Sequence, residues 1–221
     1  MKIHGWGRYP VVDSNNIQEI SKNIWSNEFI PSGNFRSYGD AALNKNHYSN
    51  KPFNRLISFD TNSGLLKCES GVLLADIIDI FLPKGWFLSV SPGSSLVTVG
   101  GCVASDVHGK NHHIYGCFSE CVKSFELLLP NNEIVECSRS KNIDLFHATC
   151  GGMGLTGIII NVSFFLKRIK SQWINQITVK TENLKETFDA FELHSSSPYS
   201  VAWIDCLANG KNQGKFSIRA W

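Results

Sequence analysis

The sequence predicts an α+β fold, in which helices and strands are mixed without strict βαβ alternation. Two observations predict it: apolar residues recur at helical spacing in a few segments, and short β-rich runs bounded by turn residues separate them. With 221 residues, 43% of them hydrophobic, the chain can bury a core without disulfide support. Its 21 Lys and Arg residues against 19 Asp and Glu give a net charge of +2, which excludes a strongly basic nucleic-acid-binding protein.

The first predicted elements are a helix, two strands and a second helix. Isoleucines at helical spacing predict a helix over residues 16–25. Strands are predicted at 56–59 and 65–69, and an Asn-Ser-Gly turn joins them. An apolar stripe over residues 73–82 predicts the second helix, which ends at the proline and glycine that follow it.

The remaining elements fall on either side of the basic stretch 167–170. Those before it are the hairpin strands 122–129 and 134–137, a helix at 143–149 and a β-rich run at 158–167. Those after it are a strand at 174–181, a helix at 184–193 with Leu184, Phe188 and Phe191 on one face, and strands at 201–205 and 215–221. The change of pattern predicts two domains, residues 1–168 and residues 169–221, of which the second is short for an independent core.

Glycine-rich loops are the strongest functional signal in the chain. Ten of the 18 glycines lie between residues 85 and 157, eight of them in two clusters at 91–113 and 151–157, and a third polar loop spans 32–40. Because glycine has no Cβ, main-chain N–H groups in such loops can approach an anionic ligand closely. One such loop is most often a tight turn, whereas three among apolar segments favour a polyanionic cofactor with a flat apolar ring.

Two common nucleotide motifs are excluded. Residues 152–157 match GxGxxG, but a helix is predicted before them and a strand after them, the reverse of an NAD-binding unit. A Walker A loop is also absent, because Asn111 follows Gly109-Lys110 where the motif needs serine or threonine.

Five groups of residues occur in an order that identifies a family. They are Gly5-Trp6-Gly7-Arg8, Arg36-Ser37-Tyr38-Gly39-Asp40, Pro92-Gly93 with Val97-Thr98-Val99-Gly100-Gly101, His108-Gly109-Lys110-Asn111-His112-His113, and Gly154-Leu155-Thr156-Gly157-Ile158-Ile159. Together they resemble the FAD-linked oxidases of the vanillyl-alcohol-oxidase/PCMH type, with a pattern most similar to the decaprenylphosphoryl-β-D-ribose oxidases. The resemblance covers nearly the whole chain. It implies a PCMH-type FAD-binding domain of two α+β subdomains, followed by the start of a second α+β domain for the substrate.

The resemblance also implies roles for individual residues. The loop after Ser32 and the Thr-Val-Gly-Gly segment would hold the FAD pyrophosphate through main-chain N–H groups, with Ile159 near the adenine half. The implied FAD-binding residues are Gly33, Asn34, Phe35, Arg36, Ser37, Tyr38, Gly39, Asp40, Gly93, Thr98, Val99, Gly100, Gly101, Ser105, His108 and Ile159. The implied catalytic residues are His108 and Lys110, which would face the substrate.

The chain departs from the family pattern in its first loop and in its length. The usual loop begins Arg-Gly-x-Gly, whereas this chain has Ser32-Gly33-Asn34-Phe35, so a phosphate partner is missing and Phe35 stands where glycine is usual. Asn34 occupies the position at which covalent members carry a flavin-linked histidine, so the resemblance implies noncovalent FAD. Family members are about twice as long, so we expect a truncated substrate domain.

The resemblance implies an FAD-dependent oxidoreductase that oxidises a secondary hydroxyl group of a sugar or a polyprenylphosphoryl sugar by hydride transfer to flavin. Two alternatives stay open: a non-catalytic, truncated flavin-binding or partner-binding module, and an aldonolactone oxidase. The implied partners are a lipid-linked sugar and a short-chain reductase, in cell-envelope biosynthesis. Tyr38 is either a flavin-packing ring or a core residue, and Trp203 and Asp205 either enter the substrate pocket or belong to the fold.

Cysteine usage and the lack of long apolar runs predict the compartment. Seven cysteines without CxxC spacing favour free thiols in a reducing compartment, and the first residues lack an apolar signal core. No run reaches the ~20 apolar residues of a membrane span. We therefore expect a cytoplasmic protein, with peripheral membrane association left open.

The spacing of His108, His112, His113, Cys117 and Cys121 matches no usual zinc pattern, so no metal site is expected.

Overall fold

Short strands and helices alternate irregularly along the computed structural model, which describes residues 1–17, 25, 28–207 and 215–221. Its strands are β1 (Lys2–His4), β2 (Val11–Asp13), β3 (Asn15–Asn16), β4 (Ile30–Ser32), β5 (Asn46–Ser49), β6 (Leu56–Phe59), β7 (Leu65–Glu69), β8 (Trp86–Leu88), β9 (Val122–Leu128), β10 (Ile134–Ser138), β11 (Ile158–Arg168), β12 (Ile177–Thr181), β13 (Ser200–Ile204) and β14 (Phe216–Ala220). Its helices are α1 (Leu74–Phe81), α2 (Val99–Ala104), α3 (His112–Tyr115), α4 (Ile143–Thr149) and α5 (Leu184–Leu193). The predicted α+β class is confirmed.

The central sheet is antiparallel and has the strand order β10-β9-β11-β7-β6, with β8 pairing the far end of β11. Predicted strands 56–59 and 65–69 and the hairpin at 122–137 are confirmed within one residue of their bounds. The long strand β11 joins the hairpin to β7, so it carries most of the sheet's pairing. Its last residues, up to Arg168, pair with β8.

Helices α1 and α2 cover one face of this sheet and close the main core. Helix α1 buries Leu74, Ile77 and Phe81, the spacing that an amphipathic helix needs to pack on a sheet. It ends in a short 3-10 turn at Gly85, whose φ of 78° is a left-handed conformation that glycine adopts without strain. Phe125 of the sheet stacks on Phe146 of α4, with ring centroids 5.4 Å apart. This core fixes α2, which forms one wall of the cleft described below.

A small parallel sheet lies at the N-terminal side, in the order β3-β5-β4, beside the antiparallel pair β1-β2. Neither was predicted, because strands of two to four residues give little periodic signal. The predicted helix over 16–25 falls mostly outside the described residues, and Asn16 belongs to β3. Strand β4 runs directly into residues 33–40 and so positions that loop.

The C-terminal residues form a separate antiparallel sheet, β12-β14-β13, with α5 packed against it. Helix α5 forms as predicted, but its apolar face is not the buried one: Thr187 and Ala190 are buried, whereas Leu184 and Phe188 are exposed. Thr187 turns inward because its hydroxyl group hydrogen-bonds with that of Thr181 at 2.8 Å. The two sheets have no strand in common, and the domain boundary at 168/169 stays a prediction.

No helix in the described part of the chain has the length and apolar character needed to cross a membrane.

Candidate functional site

A cleft of about 530 Å³ lies between the N-terminal loops and helix α2, within the range of natural ligand sites. Most of the residues predicted from the three glycine-rich segments line it. Those residues are Gly33, Asn34, Phe35, Arg36, Ser37, Tyr38, Gly39, Gly93, Thr98, Gly100, Gly101, Ser105, His108 and Ile159. The fold therefore brings together segments that are up to 126 positions apart in sequence, from Gly33 to Ile159 (159 − 33).

The 33–40 loop lines the cleft up to Gly39 and has main-chain donors that the fold does not use. Within the described part of the chain, none of the N–H groups of residues 33–40 donates a hydrogen bond to a protein atom. The loop is held instead through its carbonyl groups: the Trp6 N–H donates to the Ser37 carbonyl oxygen at 2.9 Å. Gly5 allows this approach, since a Cβ there would lie 2.7 Å from the Gly39 carbonyl oxygen. A row of free donors held from behind is suited to binding an anion.

Phe35 adopts a left-handed backbone conformation, which glycine adopts more readily than any other residue. Its φ is 52°, in the left-handed region that costs a residue with a Cβ roughly 1–2 kcal/mol. Its ring contacts the buried His47 edge to face, with centroids 5.3 Å apart. Phe35 therefore holds the loop in a conformation that favours glycine, and its ring adds an aromatic contact with His47.

The 98–101 segment differs from the expectation that its N–H groups hold a ligand. The Val99 N–H donates to the Val72 carbonyl oxygen at 2.8 Å, and the Gly100 N–H to that of Ser70 at 2.7 Å. The Gly101 N–H donates to the Thr98 hydroxyl oxygen at 3.2 Å, and Thr98 is the N-cap residue of α2. Because the fold already uses these three N–H groups, the segment forms a close-packed part of the cleft wall and does not offer them to a ligand. Val99 is fully buried and does not line the cleft.

Two buried polar atoms without partners belong to residues that line the cleft. They are Nε of Arg36 and Oδ1 of Asn50, neither of which has a hydrogen-bond partner. Arg36 is also the only arginine or lysine among the cleft-lining residues of the described chain, and no carboxylate lines the cleft. Because buried polar groups are normally hydrogen-bonded, a donor and an acceptor left free here point to a ligand.

His108 is the one titratable residue at the α2 C-terminal end of the cleft. It pairs with Cys117 in an isolated antiparallel bridge, and its ring lies 5.3 Å from that of His112. Gly109 is tightly enclosed, since a Cβ there would approach the Ser91 carbonyl oxygen. The backbone at His108 and Gly109 is thus held by neighbouring segments.

Lys110, the second predicted catalytic residue, lies away from the cleft. Its carbonyl oxygen accepts a hydrogen bond from the Ser200 N–H at 2.9 Å, and its Nζ lies 5.2 Å from the centre of the Trp221 ring. Lys110 therefore contacts the C-terminal sheet and does not line the cleft, and its catalytic role stays a prediction. Asp40 is exposed and also lies outside the cleft lining.

A half-buried lysine, Lys167, joins the same contact between the two sheets. The Lys167 Nζ donates to the Tyr199 hydroxyl oxygen at 2.7 Å and lies 4.6 Å from the centre of the Tyr115 ring. Burial lowers the pKa of Lys167 below its usual value of 10.5. Tyr199 also stacks on Trp221. The contact between the two sheets therefore consists of the Lys167 ammonium group and aromatic rings.

Other predicted and unpredicted residues are placed as follows. Tyr38 is 81% exposed and packs edge to face against Trp6, which rules out a core role. Trp203 is 60% exposed on β13 and does not line the cleft. Asn50 lines the cleft and was missed, because a single asparagine gives no signal in a sequence. Trp6 also lines the cleft and was not predicted, although it belongs to the first motif of the family pattern, Gly5-Trp6-Gly7-Arg8.

The cysteines are free thiols with no site around them. All seven lie within the described ranges and none forms a disulfide. Burial raises the pKa of Cys68, Cys121 and Cys150 to about 12, so these thiols stay protonated. Among described residues, no cluster of three or more His, Cys, Asp or Glu side chains is arranged to hold a metal ion.

A family model described as an FAD binding domain matches residues 17–138, more than half of the chain. The chain belongs to the FAD-binding domain family of the PCMH type. This FAD-binding domain is 36% identical to decaprenylphosphoryl-beta-D-ribose oxidase of Mycolicibacterium smegmatis over 194 residues, 86% of this chain and 42% of that protein. It is 32% identical to bovine L-gulonolactone oxidase (68% of this chain, 34% of that protein). It is 28% identical to D-lactate dehydrogenase of Anaerostipes hadrus (69% of this chain, 34% of that protein). The chain thus spans about two fifths or less of these relatives.

The residues of the cleft fit FAD. The two phosphate groups of FAD are negatively charged and accept hydrogen bonds. The free N–H groups of the 33–40 loop supply donors with a partial positive charge, and the Arg36 guanidinium supplies donors with a full one. Gly39 and Gly93 line the cleft with open space where a Cβ would lie, so a ligand can contact their backbone.

Proposed function

We propose that this FAD-binding domain is part of a flavin-dependent oxidoreductase that oxidises a secondary hydroxyl group of a sugar or a polyprenylphosphoryl sugar. The observation that carries the proposal is the cleft itself, with free main-chain donors and Arg36 along one wall and His108 beyond α2. The name of the mycobacterial relative supports a ribose carried on a polyprenyl phosphate as the substrate class.

The 33–40 loop and Arg36 would hold the diphosphate of FAD, and Ser105 and His108 would lie beside its ring system. Bound FAD supplies a hydride acceptor for the carbon that bears the hydroxyl group. His108 would accept the hydroxyl proton at a ring nitrogen, which leaves an oxygen able to form the carbonyl group. The fixed backbone of Gly109 would hold that ring in place relative to α2.

Noncovalent attachment belongs to the same proposal. The Asn34 side chain donates to the Leu96 carbonyl oxygen at 2.8 Å and has no nucleophilic atom. No cysteine lines the cleft. Acid precipitation of the reconstituted protein should therefore release all of the yellow flavin into the supernatant, whereas flavin retained on the pellet would disprove noncovalent binding.

His108 is the residue whose substitution tests the chemistry. We expect His108→Ala to slow anaerobic flavin reduction by about 10²–10⁴-fold with little change in the Kd for FAD. His147→Ala is the matched control, since His147 is exposed at the end of α4 and does not line the cleft. Weaker FAD binding with an unchanged reduction rate would contradict the proposed role.

A flavin-binding module without its own turnover is the second candidate. The position of Lys110 favours it, because only His108 of the predicted catalytic pair lines the cleft. A chain that binds FAD but whose flavin is not reduced by any sugar, lactone or 2-hydroxy acid would support the module. Reduction by an aldonolactone alone would instead support the lactone-oxidase alternative, which the bovine relative suggests.

The partners and the compartment are proposals of the same kind. A short-chain reductase would reduce the keto sugar that the oxidation yields, and a polyprenylphosphoryl substrate would bring the protein to the cytoplasmic membrane surface. Co-purification and vesicle flotation with the substrate lipid test them. We also propose that residues 1–168 bind FAD and that residues 169–221 begin the substrate domain, as the separate C-terminal sheet supports.

A further inference from the structure

Asn50 is a buried side chain whose oxygen atom has no partner. Only 7% of the residue is exposed, and it follows β5 at the edge of the cleft that it lines. Its Nδ2 donates to the Ser70 hydroxyl oxygen at 2.9 Å and to the Ile159 carbonyl oxygen at 3.0 Å. Its Oδ1 accepts no hydrogen bond. A buried amide oxygen left unpaired costs about 1–3 kcal/mol, so its presence needs a reason.

The orientation of this amide is fixed by its surroundings. A main-chain carbonyl group can only accept a hydrogen bond, so the atom that faces the Ile159 oxygen must be the nitrogen. Turning the amide over would bring two oxygen atoms together and would leave the nitrogen without that partner. The unpaired atom is therefore the oxygen.

The backbone of Asn50 is fixed as well. Its N–H donates to the Ser32 carbonyl oxygen at 2.8 Å, and its own carbonyl oxygen accepts from Phe53 at 2.9 Å. Gly71 packs so closely against Asn50 that a Cβ at position 71 would overlap with the Asn50 carbonyl oxygen. Asn50 is thus held in one position before any ligand arrives, which favours selective recognition.

The chemistry of an amide oxygen restricts what it can recognise. It accepts hydrogen bonds and repels other acceptors, so it would not bind a phosphate group and needs a donor. The donors of FAD are the 6-amino group of its adenine ring, N3–H of its flavin ring and the hydroxyl groups of its ribose and ribityl chain, and only the two ring donors would let Asn50 distinguish one ring from another.

Helix α2 separates Asn50 from His108. Ser70 contacts Asn50 on one side and accepts from the Gly100 N–H, at the start of α2, on the other. Ser105 and His108 follow the other end of the helix, whose six residues span about 9 Å. If the flavin ring lies by His108, the adenine ring is the one that reaches Asn50.

We propose that Asn50 selects the adenine ring of FAD by accepting a hydrogen bond from its 6-amino group through Oδ1. This inference rests on the proposed FAD-binding function. It makes Asn50 a specificity-determining residue that distinguishes a purine with an amino group at position 6 from one with an oxygen there.

The first test uses the wild-type chain and needs no variant to fold. Its Kd is measured by flavin fluorescence for FAD, for an analogue with purine in place of adenine and for one with hypoxanthine. We expect purine to weaken binding about three- to tenfold, which corresponds to one hydrogen bond. Hypoxanthine should weaken it further, because two acceptor oxygens would then face each other.

The second test is Asn50→Leu, with Asn46→Leu as the matched control. Asn46 lies on the strand that leads to Asn50, donates to the Glu28 carbonyl oxygen and does not line the cleft. The Asn50→Leu variant should bind FAD and the purine analogue with equal Kd, whereas the control should discriminate as the wild type does.

The outcomes separate the inference from the function on which it rests. Absence of any FAD binding by the wild type would disprove the proposed function. FAD binding with equal affinity for all three dinucleotides would disprove the role of Asn50 alone, as would discrimination that persists in Asn50→Leu. A loss of affinity for 3-methylflavin adenine dinucleotide that Asn50→Leu abolishes would show that the flavin ring, and not adenine, is the partner.

Discussion

The 33–40 loop and the 98–101 segment both line the cleft, and they use their main-chain donors in opposite ways. In the described structure no N–H group of the loop donates to protein, whereas those of Val99, Gly100 and Gly101 all do. Both segments are rich in glycine and polar residues, so the sequence alone makes them equivalent candidates. Their hydrogen bonds distinguish them.

The difference follows from burial. Gly100 is buried against Ser70, where an unpaired N–H group would be costly, so the fold supplies an acceptor. The loop ends in the exposed residues Tyr38, Gly39 and Asp40, and water can satisfy its donors until a ligand replaces it. One wall of the cleft therefore stabilises the protein and the other is available to bind. Substitutions in the two walls should separate stability from affinity.

The largest effect on FAD affinity is expected at Arg36. Arg36→Ala removes the one arginine or lysine of the described cleft lining, and a hydrogen bond to a charged group contributes about 1.5–3 kcal/mol. The Kd for FAD should rise about 10- to 100-fold in a fluorescence titration, with little change in the melting temperature of the ligand-free protein. Arg8→Ala, on the neighbouring turn and outside the cleft lining, is the control. An unchanged Kd would mean that the loop does not face the phosphate groups.

A pair of glycine substitutions tests the two walls directly. A Cβ at Gly100 would lie 2.8 Å from the Ser70 Cβ, so Gly100→Ala should destabilise the ligand-free protein by about 1–3 kcal/mol. A Cβ at Gly39 would meet nothing within 4 Å, so Gly39→Ala should leave that stability unchanged and weaken FAD binding. Chemical denaturation and flavin titration measure the two effects. If both variants lost stability alike, the assignment of separate roles would be wrong.

Much of the fold could be predicted from periodicity. The predicted bounds of strands 56–59 and 65–69 and of helix 143–149 agree with the observed ones, because each has a regular pattern between clear turn residues. Helix α2 was missed, since six residues that include Gly100 and Gly101 have little helical propensity and the helix depends on packing of Val99 and Val103.

The site could be predicted as a set of segments but not in its hydrogen bonding. The glycine clusters and the family order named nearly all of the residues that line the cleft. Which N–H groups are free depends on contacts over long sequence separations, such as Gly100 with Ser70, and Asn50 is brought to the cleft by Ile159, 109 positions away. The contact of Lys110 with Trp221 could not be predicted for the same reason, because Trp221 lies at the other end of the chain.

The support beneath the 33–40 loop should make stability depend on pH through His47. Burial first, and then the N-terminal charge, lower the pKa of His47 below its ordinary 6.5. Below pH 6.5 the unfolded chain therefore binds a proton that the folded chain does not, so stability falls as the pH decreases towards the folded-state pKa. Each unit of difference between the two pKa values contributes about 1.4 kcal/mol.

Melting temperatures between pH 8 and pH 5 measure this effect. His47→Gln should flatten the decline below pH 6.5, whereas His4→Gln, at an exposed position, should leave it unchanged. An equal decline in all three proteins would show that His47 does not contribute to it.

The smallest effect is expected at Phe35, whose backbone holds the free donors in position. Phe35→Gly and Phe35→Ala both remove the contact with His47, so the difference between them isolates the cost of the φ of 52°. The glycine variant should be more stable by about 1 kcal/mol in urea denaturation, since alanine cannot adopt this conformation without strain. At Ser37, which has no positive φ, the same pair should favour alanine. Equal stability of the two Phe35 variants would mean that the ligand-free loop leaves the left-handed conformation, and that the row of donors forms only when FAD binds.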